Sequence, residues 1–162
     1  MKPVNEIFEI LKKEFDSSII SSDDSCIITN PFMMDKIAWF LKKNEELSFD
    51  SLMCLSGVEE PKVKNSDKTD SLSVYYHLHS IKLKHKLTVK TIVPKSNPEV
   101  ESVENIWKCA GWHEREAFDL LGIKFIHHPD MRRILLPDDW EGYPLRKDYK
   151  APEFYNGMKV TD

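Results

Sequence analysis

Two neighbouring segments in the middle of the chain constrain its fold more than any other feature. Leu72, Val74, Tyr76 and Leu78 alternate with Ser73, Tyr75, His77 and His79. A period of two puts one set of side chains on one face of a strand and the other set on the opposite face. The following segment "HKLTVKTIV" reads as the antiparallel partner of that strand. A half-buried pair of this kind needs a second layer over its apolar face, and the flanking sequence supplies candidates. Val4, Ile7, Phe8, Leu11 and Phe15 recur at helical spacing, which predicts an amphipathic helix over 3–15. Pro31 opens a second helical pattern through Met33, Ile37, Phe40, Leu41 and Leu47. Val103, Ile106, Trp107 and Ala110 start a third. "SIISSDDSCIIT" reads as two short strands around an Asp-Asp turn, and "FDSLMCLSGVEE" as one more strand. "PKVKNSDKTD" reads as a polar loop.

The expected order is helix, two strands, helix, three strands, helix. The expected class is α+β, a two-layer sandwich with helices packed on a mixed or largely antiparallel sheet of about five strands. After about residue 122 the apolar periodicity fades into prolines and charges. The expected division is an α+β domain over 1–122 and an irregular, extended C-terminal arm over 123–162.

Several kinds of chemistry find no support in the sequence. The 162 residues carry a net charge of -4, so there is no basic surplus pointing to nucleic acid. Cys26, Cys54 and Cys109 are scattered, with no spacing for an iron–sulfur cluster or structural zinc. Five glycines make neither a dinucleotide fingerprint nor a phosphate loop. There is no Gly-x-Ser-x-Gly and no His-Glu-x-x-His. The first residues read as neither a signal nor a transit peptide, and no apolar run approaches the roughly 20 residues of a spanning helix. His77 and His79 fall on the solvated face of their strand. His127, His128 and Asp130 add to these two as residues from which a metal site could be built, but adjacent residues in extended chain point opposite ways. Glu114 and Glu116 read as surface or helix charges rather than a catalytic acid–base pair.

The positive signal is the distribution of arginine. All four arginines, Arg115, Arg132, Arg133 and Arg146, lie between Gly111 and Tyr149, whereas seventeen of the nineteen lysines lie outside that stretch. Guanidinium is planar and forks onto carboxylates, which ammonium cannot do. Eight acids share the stretch: Glu114, Glu116, Asp119, Asp130, Asp138, Asp139, Glu141 and Asp148. The pattern predicts a fixed ion-pair network, either at a partner interface or pinning the arm to its own domain. In a helix over 112–121, Glu114 shares a face with Ala117, Phe118 and Leu121 and needs a partner there. Arg115 and Asp119 share another face, and Gly122 is placed to end the helix. Trp107, Trp112 and Trp140 fall in or beside the stretch, and tryptophan with arginine is enriched at protein interfaces.

This stretch resembles the signature of the 30 kDa subunit family of respiratory complex I, the NADH–quinone oxidoreductase. The pattern opens with Glu114, Arg115 and Glu116, continues after two residues with Asp119, Leu120 and Leu121, and after six intervening residues reaches His128. Three more residues lead to Arg132 and then, after Arg133, Ile134. Every position matches, and "HPDMRRILLPDDWEGYPLRKDY" continues the likeness through Pro129, Asp130, Trp140 and Arg146. His127 departs from the usual family residue.

The resemblance implies a scaffold subunit of the peripheral arm of a proton-translocating NADH–quinone oxidoreductase. It implies no catalytic, cofactor or metal residue in this chain, with FMN and iron–sulfur clusters held by partner subunits. The implied partners are the 49 kDa-type subunit, whose cavity receives quinone, and the cluster-bearing subunits of the arm. The implied location is the cytoplasmic side of the bacterial inner membrane, reached only through the complex. The signature residues, Glu114, Arg115, Glu116, Asp119, His128, Pro129, Asp130, Arg132, Arg133, Trp140 and Arg146, are then expected at a partner interface. Three other readings stand beside this one. They are the equivalent subunit of a membrane-bound hydrogenase or ferredoxin-dependent complex, a metal-dependent hydrolase using His127, His128 and Asp130, and a stand-alone binding module.

Overall fold

The computed structural model describes residues 2–22, 25–61 and 70–160. The Asp23–Asp24 turn and the interior of the polar loop expected over 61–70 lie outside the described residues. The alternation over 72–93 becomes two ten-residue strands, β4 (Ser71–Ser80) and β5 (His85–Pro94), in unbroken antiparallel register from Ser71↔Pro94 to Ser80↔His85. Leu72, Val74, Tyr76 and Leu78 are buried on one face, while Tyr75, His77 and His79 on the other are half-buried or exposed. Around them stand β1 (Ile19–Ser22), β2 (Ile27–Thr29) and β3 (Ser51–Glu59), in the order β1-β2-β5-β4-β3. The β2–β5 pair is parallel and the others antiparallel, which makes the sheet mixed.

The second layer comes from α1 (Val4–Phe15), α2 (Met34–Lys43, preceded by a 3-10 turn at Pro31–Met33) and α3 (Ala110–Leu121). Ile7 and Leu11 of α1 and Ile37, Ala38 and Leu41 of α2 join the sheet's buried face in one core. The fold is therefore α+β, a two-layer arrangement on a five-stranded mixed sheet.

The third helical region differs from its expected start. Val103 to Cys109 form successive turns and the helix begins only at Ala110. The side chains of this segment have other bonds to make: the Trp107 indole donates to Phe49 O at 3.2 Å, and the Val103 amide donates to a carboxylate oxygen of Glu114 at 2.8 Å. Two strands that the alternation does not announce, β6 (Glu99–Glu101) and β7 (Lys124–Ile126), pair in parallel on either side of α3. Ile123 and Phe125 are buried in the core, and the irregular backbone begins at His127. Near the end of the chain β8 (Phe154–Tyr155) and β9 (Met158–Lys159) form a small hairpin.

Candidate functional site: a clasp between the last helix and the arm

α3 sits against β3, and Gly57 sets how close it comes. A Cβ at that position would lie 2.7 Å from Leu121 Cδ1 and 3.3 Å from Ala117 Cβ. The helix ends where Gly122 takes the left-handed conformation, φ 73°, and donates its amide to Phe118 O. The chain then returns along the helix as the arm.

Asp119, on α3, is the centre of the clasp. It has no solvent exposure. Its Oδ2 accepts the three successive amides of Ile134, Leu135 and Leu136 at 3.0, 2.7 and 2.9 Å. Its Oδ1 accepts Arg133 Nη1 at 2.7 Å. Burial alone would push this carboxyl up. The bonds from Leu136, Arg133, Ile134 and Leu135 outweigh burial and hold it below the usual carboxylate range. Arg133 donates further to Asp119 O at 3.0 Å, Trp140 O at 2.8 Å and Gly142 O at 3.1 Å. One guanidinium thus ties the helix to two points of the arm, and only a fork of donors can do so.

The neighbouring signature residues act in the same way. Arg115 is buried and donates to the backbone oxygens of Arg132 (3.1 Å) and Arg133 (2.9 Å), with Asp130 3.8 Å away. Arg146 donates to Leu121 O at 2.7 Å, satisfying an end carbonyl of α3, and lies over the Tyr143 ring. Farther along, Lys95, the residue after β5, bridges Glu59 of β3 and Asp148 of the arm, both at 2.8 Å. Arg132 is different. It is 68% exposed and bonds Asp130, two residues away. The two adjacent arginines therefore face opposite sides, one into the clasp and one into solvent.

Glu114 occupies a second buried site on α3. It accepts Ser102 Oγ at 2.6 Å and the Val103 amide at 2.8 Å. Burial pushes its carboxyl up to about 7, against the pull of those two bonds, and the Glu104 charge adds to the rise. Burial, and then the Glu114 charge, raise the Tyr76 phenol well above its ordinary range. His128 accepts the Asp130 amide on Nδ1 at 3.0 Å. Its other nitrogen, Nε2, then carries the proton and donates to Gly111 O at 3.3 Å, 3.9 Å from Glu114. His127 turns away at φ 64° to meet Glu101 at 2.9 Å. The two rings thus part, and the described residues hold no group of three ligands that could bind a metal ion.

Pro129 and Asp130 are exposed in the turn that leads into the clasp, and Glu116 is exposed on α3. The Trp140 ring packs on Tyr155 of the terminal hairpin at 5.1 Å. Three clasp members carried no signal of their own in the sequence. They are the amides of Ile134, Leu135 and Leu136, which belong to the backbone. Ser102 and Lys95 were missed because their partners lie far away in sequence.

The family model described as respiratory-chain NADH dehydrogenase, 30 Kd subunit, matches residues 27–155. An NADH-quinone oxidoreductase subunit from Chloroherpeton thalassium is 42% identical, covering 98% of this chain, which spans 66% of that relative's length. Its counterpart of the same description from Chlorobium phaeobacteroides is 37% identical, with 94% of this chain and 92% of that one covered. Among solved structures, a trypsin-resistant fragment of Nqo5 superposes with a TM-score of 0.56 at 20% identity, covering 76% of this chain and 98% of the fragment, a likeness of fold. A chain of the membrane-bound sulfane sulfur reductase, an archaeal respiratory membrane complex, superposes with a TM-score of 0.64 at 25% identity, covering 91% of this chain and 85% of that one.

Proposed function

The chain belongs to the 30 kDa subunit family of respiratory-chain NADH dehydrogenase, and from that membership we propose that it is a scaffold subunit in the peripheral arm of a proton-translocating NADH–quinone oxidoreductase. In this reading FMN and the iron–sulfur clusters belong to other subunits. The chain contacts a 49 kDa-type subunit and cluster-bearing neighbours, and it reaches the cytoplasmic side of the membrane only through them. No helix among the described residues is long and apolar enough to cross a membrane, which fits peripheral attachment.

The observation that supports a scaffold role best is how the signature is used. Arg115, Asp119, Arg133 and Arg146 spend their bonds on backbone groups and on one another, across the joint of α3 and the arm. Such groups fix shape. A general acid or nucleophile instead needs a free atom in a pocket. The test is affinity purification of the tagged chain from detergent-extracted membranes. Recovery with flavin and iron–sulfur absorbance and NADH–quinone reductase activity is the expected result. Recovery of a lone chain would overturn the proposal.

The likeness to the sulfane sulfur reductase chain favours one second reading, the same scaffold in a membrane complex with another electron donor. NADH and reduced ferredoxin, offered in turn to the purified complex, separate the two.

A further inference from the structure

β3 is one edge of the five-stranded sheet, and its nine residues contrast with the four of β1 at the other edge. An edge strand exposes a row of unpaired amides and carbonyls that templates pairing with another chain. At its start, the Leu52 carbonyl is met by Cys109 Sγ at 3.5 Å. Among the described residues, no backbone hydrogen bond from outside the sheet reaches positions 53–58. Met53 and Val58 are exposed there.

Beside this edge lies a groove of about 170 Å3. Leu55 and Gly57 of β3 line it together with His113, Glu116 and Leu120 of α3 and Leu145 of the arm. It is comparable to the ~150 Å3 cavities that take a benzene-sized group, so it has room for one side chain. The clasp helps to shape it, since the Leu145 amide donates to Leu120 O at 3.0 Å and Arg146 bonds Leu121 O. The groove is charged in one sense. Glu116 makes no hydrogen bond or ion pair among the described residues, whereas every arginine of the stretch is already engaged.

We infer that the β3 edge and the adjoining groove dock an extended segment of a neighbouring subunit, which adds to the sheet as a strand and sets a lysine or arginine opposite Glu116. Main-chain bonds along β3 supply affinity, and the one side chain that enters the groove supplies selectivity. The free carboxylate selects the cationic end of that side chain, and Leu120 and Leu145 pack on its aliphatic stem. This rests on the proposal that the chain works within a multi-subunit complex, and it says which surface is used.

The test uses the assembled complex. A photo-crosslinking phenylalanine analogue is placed at Met53 of the tagged chain, and adducts are mapped by mass spectrometry. Separately, Glu116→Arg is compared with Glu45→Arg, a reversal at an exposed carboxylate beyond α2. The expected result is an adduct to a segment bearing lysine or arginine in a co-purifying subunit. Glu116→Arg should lower recovery of that subunit at least tenfold with unchanged melting temperature, and Glu45→Arg should leave recovery unchanged. If the wild-type chain recovers its complex but Met53 yields no adduct to another subunit, or the two reversals act alike, the docking surface is overturned and the scaffold role stands. If the wild-type chain recovers no subunit, both fail.

Discussion

Glu114 and Asp119 lie on one helix, five residues apart and without solvent exposure, yet their acidities move in opposite directions. Both lose hydration, which favours the neutral acid. Asp119 receives three amides and a guanidinium, enough to outweigh that loss. Glu114 receives one hydroxyl and one amide, which is not enough. The consequence for stability follows from proton linkage. The Glu114 carboxyl lies near 4.5 outside the fold and near 7 within it, so the folded chain holds the proton more tightly. Its stabilising contribution is fully present below about pH 4.5 and is lost as pH rises through about 7, a change on the order of 3 kcal/mol. Glu114→Gln keeps one acceptor for the Val103 amide and offers a donor to Ser102 Oγ, with no titration. The melting temperature of the variant should therefore fall less between pH 5 and pH 8 than that of the wild type. Equal slopes for the two proteins would show that Glu114 does not change protonation in that range.

At the scale of elements, local periodicity announced what local periodicity builds. The apolar spacing over 4–15 became α1, and the alternation over 72–93 became β4 and β5 in full register. β6 and β7 escaped because each is three residues long and its partner lies across a helix, so no local pattern exists to read. The terminal hairpin did carry a signal. Asn156-Gly157 is a favoured two-residue turn, and both residues have positive φ, 49° and 77°. Within the clasp, the arginine asymmetry pointed to a stretch that does hold ion pairs, but composition could not say whether they close inward. Asp119 shows why, since most of its partners are amides whose placement depends on the arm's path. Gly122 joins the two elements of the clasp. At φ 73°, a Cβ there would be strained and would lie 2.6 Å from the Tyr143 ring and 2.7 Å from Arg146 Nη2. Gly122→Ala should cost roughly 1–3 kcal/mol and speed proteolytic nicking within 127–149. Thermal unfolding and limited proteolysis measure the two effects. An unchanged melting temperature would mean that the Tyr143–Arg146 turn does not pack on the helix end.

At the scale of the molecule, the clasp turns some thirty residues of irregular chain into a surface of fixed shape without strands or helices to hold it. Its backbone is secured instead by charged side chains from α3, from Lys95 just after β5 and from the arm itself. Arg132 and Arg133 make this testable, because they are adjacent and alike in charge but face solvent and clasp respectively. Arg133→Lys keeps the charge and loses the fork that reaches Asp119, Trp140 and Gly142. It should cost roughly 3 kcal/mol, near the lower end for breaking a buried pair. Arg132→Lys touches an exposed pair and should cost about 1 kcal/mol or less. In cells that carry each variant as the sole copy, Arg133→Lys should reduce assembled complex and quinone reductase activity in the same proportion, leaving activity per complex near the wild-type value. Arg132→Lys should leave the stability of the isolated chain almost unchanged, so any loss of assembly it causes reports a contact with a partner rather than a loosened arm. Blue-native electrophoresis with in-gel activity reads both quantities from one sample. Full assembly of Arg133→Lys with lost turnover would place the clasp in the chemistry of the enzyme, and the scaffold role would have to be abandoned.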